Sequence, residues 1–319
     1  MTQESTIEPL RVFLRRGLRC AAVCALTLFA AASAAQTGTA PQKIFSSPDT
    51  AVAALVEAVK AKDEPALREA LGKRGVDLIA LRDPSADAKR FDRFLSAYQE
   101  SNKLVPQGDA KVVLEVGKDA WPFPIPLVAV AGGWRFDARL GEQEVLARRI
   151  GRNELEAMQV CLAIADAEHE YASVDWNKNG VVEYAPRFTS TPGKRDGLYW
   201  EDSEGEPQSP LGPLVAAAGT DSEAPRAAAE RVPYHGYYYR ILTRQGKNAK
   251  GGARSYIVHG EMIGGFAVLA YPARYRQTGI KSFMLNHDGV LYEKDLGKDT
   301  ASVAARMRAF DPDPSWTRP

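Results

Sequence analysis

The sequence predicts an α+β protein: a helix-plus-antiparallel-meander region first, then a long helix packed on an antiparallel sheet. Two observations support this fold class. Apolar residues recur at three- and four-residue spacing ahead of each meander, as in amphipathic helices. Short runs rich in β-branched and aromatic residues then follow one another, separated by turn residues, as in antiparallel strands.

The first predicted domain spans residues 45–150. Ser47 is placed to cap a first helix, and Gly72 to end a second. The predicted helices cover 51–62, 64–72 and 86–101, and the predicted strands cover 111–117, 125–131 and 134–137. The proline-rich segment 121–126 is expected at a sheet edge, because proline cannot donate to a strand ladder; the alternative is a polyproline ligand. This order resembles NTF2-like or cystatin-like domains at the level of pattern.

The second predicted domain spans residues 151–319 and starts with a helix. Helices are expected at 142–151 and at 155–174, the second capped by Asn153. Two apolar stripes on the second helix, one through Leu155 and Leu162, predict that a sheet covers much of its circumference. The strands are expected at 237–243, 255–260, 265–273, 280–286 and 290–296.

Composition sets limits on partners. The chain has 319 residues, of which 45% are hydrophobic and 25% are charged, and its net charge is +1. These values are typical of a globular protein of about two domains. Nucleic-acid binding requires a clustered excess of Lys and Arg. The charge balance therefore argues against a nucleic-acid partner.

Residues 1–35 have the pattern of a signal peptide. Arginines precede a short apolar run at 20–32, and the small residues at 33–36 suit cleavage. The run is shorter than the roughly 18 residues that span a bilayer. We expect an exported protein, periplasmic or secreted, with a linker at 36–44 and no membrane insertion after signal cleavage; the alternative is a retained anchor. After cleavage only Cys161 remains, so no internal disulfide is expected, and Cys161 is interpreted as a core residue.

Several sequence blocks together resemble the bacterial family of domains of unknown function numbered 2950. The resemblance covers nearly the whole mature chain and implies an exported protein without an assigned biochemical activity. The blocks are IGRNELEAM (150–158), TPGKRDGLYW (191–200), SPLGPL (209–214), PYHGYYYRILTRQG (233–246) and the segment 265–297.

Residues 153–297 also resemble the soluble part of type IV pilins and pseudopilins. The shared order is a long helix, a loop, a G-Y-x-Y-R-I-L-T strand at 236–243, a strand with A-Y-P at 270–272, and T-G-x-K-S-F at 278–283. Pilins place their long helix at the mature N-terminus, whereas a whole domain precedes it here. The resemblance therefore implies a shared fold without filament assembly through that helix.

The stretch DWNKNGVVEYAPRF (175–188) opens like a calcium loop. Its candidate ligands are Asp175, Asn177, Asn179, the carbonyl of Val181, and Glu183. Position 12 of the loop is Pro186, so the bidentate Glu of an EF-hand is missing, and calcium is expected to bind only weakly, at about 10⁻⁴ to 10⁻³ M. The alternative is a structural Asx turn made by Asn179-Gly180. Asp196 is the preferred carboxylate to complete the shell, although a structural turn is its alternative.

No nucleophile elbow, Walker loop, dinucleotide fingerprint or zinc-type histidine pair occurs in the sequence. His169 is expected on a solvated helix face beside Glu168. The arginines at 148, 149 and 152 suggest either an anion site at a helix start or salt bridges to nearby glutamates.

The favoured function is a non-catalytic binding or assembly module that presents loops 196–200 and 234–239 to an envelope or periplasmic protein partner. Whether the protein is an enzyme stays open. The alternative function is a periplasmic hydrolase or small-ligand-binding enzyme that uses His235 and Asp196 in an interdomain cleft.

Overall fold

A computed structural model describes residues 42–80, 83–201, 205, 207–219 and 232–319. The predicted signal peptide, residues 1–35, lies outside the described residues, as does most of the predicted linker. Within that linker, the side-chain amide of Gln42 donates to the backbone carbonyls of Ala70 (3.0 Å) and Phe136 (2.8 Å). Gln42 is therefore attached to the fold.

Helices open the described chain: α1 (Pro48–Ala61), α2 (Glu64–Ile79) and α3 (Pro84–Glu100). Ser47 caps α1 as predicted. Its hydroxyl accepts from the N–H of Thr50, and the Thr50 hydroxyl accepts from the N–H of Ser47, which satisfies two helix-end donors. The predicted helix end at Gly72 is confirmed. Gly72 adopts φ +72° and ψ 164°, which are not helical, and a second helical stretch follows it to Ile79; glycine tolerates this conformation without steric cost.

The first sheet is an antiparallel meander. Its strands are β1 (Asn102–Pro106), β2 (Lys111–Val116), β3 (Trp121–Pro122), β4 (Leu127–Val130) and β5 (Gly133–Phe136). The order is β1-β2-β4-β5, and β3 also pairs with β2. The sheet lies on α1 to α3. The proline-rich segment links β3 to β4, which occupy successive positions along one edge of β2.

One continuous helix, α4 (Ala138–Tyr171), replaces the two helices predicted at 142–151 and 155–174. The predicted cap at Asn153 is wrong because its side chain serves a distant turn: its amide donates to the carbonyl of Thr278 at 2.8 Å. Glu154 similarly accepts from the N–H groups of Ile280 (2.8 Å) and Lys281 (3.0 Å). Two residues at the predicted helix start, Asn153 and Glu154, therefore bind the backbone of residues 278–281.

The second sheet is also antiparallel, and α4 packs on it. The elements after α4 are α5 (Pro213–Ala218), β6 (Tyr237–Leu242), β7 (Arg244–Gln245), β8 (Arg254–Ser255), β9 (Ala267–Pro272), β10 (Lys281–Asn286), β11 (Leu291–Asp295) and α6 (Thr300–Arg306). The second sheet consists of four of these strands, in the order β11-β10-β9-β6. The α+β fold class with antiparallel meanders and a long helix is thereby confirmed. The strand predicted at 255–260 shrinks to β8, which pairs with β7.

The burial of α4 differs from the two-stripe prediction. Val160, Ile164 and Tyr171 are buried against the second sheet. Leu155 and Leu162, from the other predicted stripe, are exposed. The sheet therefore covers one side of the helix and does not wrap around it.

The buried apolar residues form two separate cores, one between the first sheet and α1 to α3, the other between the second sheet and α4. Because α4 contacts both α2 and the second sheet, the predicted domain boundary at 150/151 falls within this helix. The assignment of two domains stays a prediction. Cys161 is fully buried in the second core, as expected, and this burial raises the pKa of its thiol. Among the described residues, no helix has the combined length and apolar character needed to cross a bilayer.

Candidate functional site

The predicted calcium loop follows the end of α4 and is held there by Trp176. The indole N–H of Trp176 donates to the carbonyl of Tyr171 at 3.0 Å, and its ring lies 5.0 Å from that of Trp200. The loop therefore starts from a fixed position at the edge of the second core.

Inside the loop, side-chain oxygens accept hydrogen bonds from the backbone. The Asp175 carboxylate accepts from the N–H groups of Asn179 (3.2 Å) and Gly180 (2.8 Å). The Asn177 and Asn179 side chains accept from Asn179 (3.0 Å) and Val181 (2.8 Å) respectively. Gly180 adopts φ +86°, which allows the tight turn. These are Asx turns, as in the alternative interpretation of the sequence.

Glu183 connects the loop to a second segment. One of its carboxylate oxygens accepts from the Asn177 amide at 2.9 Å, and the other accepts from the N–H of Met262 at 3.0 Å. The Asn179 amide donates to the Glu261 carboxylate at 2.6 Å. The structure therefore brings Glu261 to the loop. The sequence did not indicate this residue, because it lies 78 positions after Glu183.

The carboxylates of Glu183 and Glu261 lie close to each other. Partial burial raises the pKa of Glu183, and a hydrogen bond with Glu261 and the negative charges of Glu261 and Asp175 raise it further, against the lowering effect of the Met262 N–H. Like charges in close proximity destabilise the ionised form. A cation or a basic side chain placed here would reduce this repulsion.

The candidate calcium ligands are hydrogen-bonded to one another and to nearby backbone N–H groups. Among the described residues, no group of three or more His, Cys, Asp or Glu side chains is arranged to hold a metal ion. Asp196, the preferred extra ligand, closes its own turn instead: it accepts from the Thr191 N–H (2.7 Å) and hydroxyl (2.8 Å) and lies 3.8 Å from Arg187. Burial by itself would raise the pKa of Asp196, but the Thr191 hydrogen bonds and the Arg187 charge lower it.

Exposed apolar side chains surround the loop. Two segments, 174–183 and 257–263, are joined by the bonds of Glu183 and Asn179 described above and by the Tyr184 N–H, which donates to the Met262 carbonyl at 2.9 Å. We call them the loop–hairpin surface. Half of the exposed large apolar side chains of the described residues lie on it: Val174, Val181, Val182, Ile257, Val258 and Ile263.

The aromatic loops expected to face a partner are largely core. Trp200, Tyr237 and Tyr239 are buried. The hydroxyl of Tyr237 donates to the carbonyl of Lys281 at 2.8 Å. The expectation that loops 196–200 and 234–239 present exposed aromatic rings is wrong, because strand β6 and its neighbours supply the centre of the second core.

The residues of the hydrolase alternative do not meet. His235 lies 3.9 Å from the Glu156 carboxylate and stacks near Tyr234, with 4.2 Å between ring centroids. Within the described residues, no hydrogen bond, ion pair or ring contact joins His235 to Asp196 or to His259, which is exposed in a turn.

His169 is exposed as expected, but its neighbour Glu168 is not. Its carboxyl group is fully buried rather than solvated; one oxygen accepts from the Ala185 N–H at 2.8 Å and the other has no hydrogen-bond partner among the described residues. Burial raises the pKa of Glu168 well above its ordinary value. A buried, uncompensated carboxyl group is expected to remain protonated.

Comparison with known proteins adds a family and no activity. The family described as Protein of unknown function (DUF2950) matches residues 42–318. Neither a curated protein nor a solved structure matches the chain.

Proposed function

We propose that this chain, which belongs to the DUF2950 family of proteins of unknown function, is a non-catalytic binding module that docks a protein partner on the loop–hairpin surface. The carrying observation is the concentration of exposed valine and isoleucine side chains on two hydrogen-bonded segments. Contiguous exposed apolar surface with a polar border is typical of protein interaction sites.

The charges around the surface specify the partner. Asp175, Glu183 and Glu261 lie among the exposed apolar side chains, and the two glutamates repel each other. A complementary partner segment would carry apolar side chains together with Lys or Arg, because opposite charges across an interface favour association and exclude partners of like charge.

The cellular setting is part of the proposal. The pattern of residues 1–35 supports export to the periplasm or beyond, where an envelope protein would be the partner. The long helix α4 packed on a four-stranded antiparallel meander is in keeping with the pilin-like resemblance of the second half. We propose an assembly role through a surface, and not through a filament-forming helix.

We also propose that the loop binds a calcium ion weakly. The proximity of the Glu183 and Glu261 carboxylates to each other and to Asp175 favours a bound cation. The ligands would be Asp175, Asn177, Asn179, the Val181 carbonyl and Glu183, with Glu261 as an additional carboxylate. Calcium takes six to eight oxygen ligands, which this set provides. Bound calcium would neutralise the glutamate pair and fix the loop.

The experiment compares capture of envelope proteins by the mature chain and by two variants. Val182→Lys introduces a like charge into any interface with a basic partner and removes apolar area from the surface. Leu155→Lys is the matched control, since Leu155 is also exposed but lies on α4, 19 positions before the first of the two segments. Capture should be lost with Val182→Lys and retained with Leu155→Lys, at unchanged melting temperatures. Equal capture by both variants would overturn the proposed surface.

A further inference from the structure

Helix α3 has an apolar face that the first core covers only in part. The helix carries Phe91, Phe94, Leu95 and Tyr98 at helical spacing, yet none of its residues is buried. In contrast, α1 in the same layer buries most of its apolar side chains. Protein interiors are normally packed as densely as organic crystals, so an apolar helix face without buried residues requires an explanation.

The explanation is a cavity of about 540 Å³ in front of α3. Its apolar wall comes from several elements: Val59 on α1, Ile79 on α2, Phe91 and Phe94 on α3, Val116 on β2, and Phe123. The volume falls within the range of about 300–1,000 Å³ typical of small-ligand pockets. Two packed layers and the first half of α4 thus line an apolar pocket of ligand size that is partly open to solvent.

The described charged residues that line this cavity all have one sign. They are Arg90 and Arg93 on α3 and Arg148 and Arg152 on α4, and no acidic side chain among the described residues lines the cavity. α4 begins at Ala138, so the arginines at 148–152 lie in the middle of a helix and not at its positive end, which corrects the sequence interpretation. Their charge therefore comes from the side chains alone.

Two of the four arginines are occupied within the protein. Arg90 donates to the carbonyl of Ile79 at 3.0 Å. Arg148 pairs with Glu144 at 2.7 Å, a salt bridge that the sequence analysis anticipated, and its guanidinium lies 4.9 Å from the centroid of the Trp121 ring. These contacts hold both side chains at the cavity wall.

The other two arginines, Arg93 and Arg152, are exposed. Neither forms an ion pair with a carboxylate of the described residues. Trp121, which is 59% exposed, also lines the cavity. The mouth thus has two available guanidinium groups beside a large exposed indole.

We propose that this cavity binds an amphiphilic anion, with a single acyl chain between α3 and the sheet and an anionic head group at Arg93 and Arg152. An acyl chain in the pocket would make dispersion contacts with the apolar wall that are absent when the pocket is empty. Guanidinium groups bind carboxylate and phosphate oxygens through paired, charge-assisted hydrogen bonds. A free fatty acid and a single-chain phospholipid share this chemistry.

Isothermal titration of the mature chain with monomeric 14-carbon amphiphiles tests the proposal. Tetradecanoate and 14-carbon lysophosphatidylglycerol represent the two sources, and the tighter of the two identifies the head group. Tetradecanol and tetradecyltrimethylammonium carry the same chain without negative charge. At least one anion should bind at 1:1 stoichiometry, and at least about tenfold more tightly than either control, since one charge-assisted hydrogen bond is worth about that factor.

Two variants locate the site. The double variant Arg93→Gln and Arg152→Gln should weaken anion binding at least about tenfold and reduce its dependence on salt, because exposed charges are screened. Ala97→Trp, on the cavity wall, should remove binding of every amphiphile. Melting temperatures establish that each variant is folded. Binding should also change the tryptophan fluorescence of the wild-type chain, and the Trp121→Phe variant should lose that change while still binding.

Absence of 1:1 binding by both anions would overturn the proposal. Equal affinity for tetradecanol, or unchanged affinity in the folded double arginine variant, would refute the assignment of the head-group site. Binding only to intact phosphatidylglycerol vesicles, and to neither monomeric anion, would show a membrane-surface contact instead of a cavity site.

Discussion

The two hydrophobic cores of this chain differ in how completely side chains fill them. In the C-terminal core, large aromatic side chains lie at the centre with no more than 1% exposure, among them Tyr237, Tyr239, Phe266 and Phe283. Beside the N-terminal core, a pocket of about 540 Å³ that is partly open to solvent lies in front of α3. The C-terminal half thus has its candidate site on an exposed surface, whereas the N-terminal half has it in a pocket.

The filled core should be the more sensitive of the two to loss of an aromatic ring. Phe283 is almost fully buried and lies 5.9 Å from the Tyr237 ring. Phe283→Ala is expected to lower the free energy of unfolding by about 3–5 kcal/mol, as for other buried phenylalanines. Phe94→Ala, which enlarges an existing cavity, should cost about 1–2 kcal/mol.

Urea denaturation measures both values. Equal losses for the two variants would contradict the contrast between a filled and an unfilled core. A further comparison, Phe94→Ala with and without tetradecanoate, should show a smaller gain in stability on ligand addition than the wild-type chain shows, because a bound ligand stabilises in proportion to its affinity.

The buried carboxyl group of Glu168 makes the stability of the filled core depend on pH. Its folded pKa is raised above the ordinary value of 4.5. The stabilisation from the bound proton is therefore complete below that ordinary pKa and is lost as pH rises toward the folded pKa. The side-chain amide in the Glu168→Gln variant cannot ionise. Above pH 4.5 the free energy of unfolding of this variant should therefore rise, relative to that of the wild type, by up to about 1.4 kcal/mol per pH unit.

Chemical denaturation of both proteins at pH 5 and pH 8 provides the measurement. Asp166→Asn serves as the control for removal of a carboxylate, because Asp166 lies on the same helix as Glu168 but is exposed. A stability difference between wild type and Glu168→Gln that stays constant between the two pH values would show that Glu168 is not protonated in the folded state.

Calcium should have the smallest effect. A site with a dissociation constant of about 10⁻⁴ to 10⁻³ M is stabilised by about 1–2 kcal/mol at 5 mM calcium. We expect millimolar calcium to raise the melting temperature of the wild type and not that of Asp175→Ala. Magnesium at equal ionic strength controls for general screening, and an unchanged wild-type melting curve would remove the metal from the proposal.

Local sequence patterns predicted the features in which a residue interacts with its neighbours in the sequence. Ser47 caps α1 as expected, and the β-branched and aromatic runs placed β2, β4 and β5 to within two residues. Asn153 resembles a helix cap in sequence, but its side chain bonds to the distant carbonyl of Thr278. Sequence spacing carries no information on which distant backbone group a polar side chain will meet.

The candidate site was partly predictable for the same reason. The Asx turns around Asp175 follow from residues within one loop, and the structure forms them. Glu261 and the exposed residues of 257–263 join the loop only through the fold. The cavity is the extreme case, since residues of six elements, from α1 to α4, line it and no single segment carries its signal.

Photo-crosslinking from the loop–hairpin surface tests the proposed function most directly. A photoreactive amino acid would replace Val182 in one form of the chain and Leu155 in the other; both positions are exposed. The account predicts a crosslink to one protein partner from position 182 and none from position 155. Crosslinks of equal yield from both positions, or none from position 182, would contradict it.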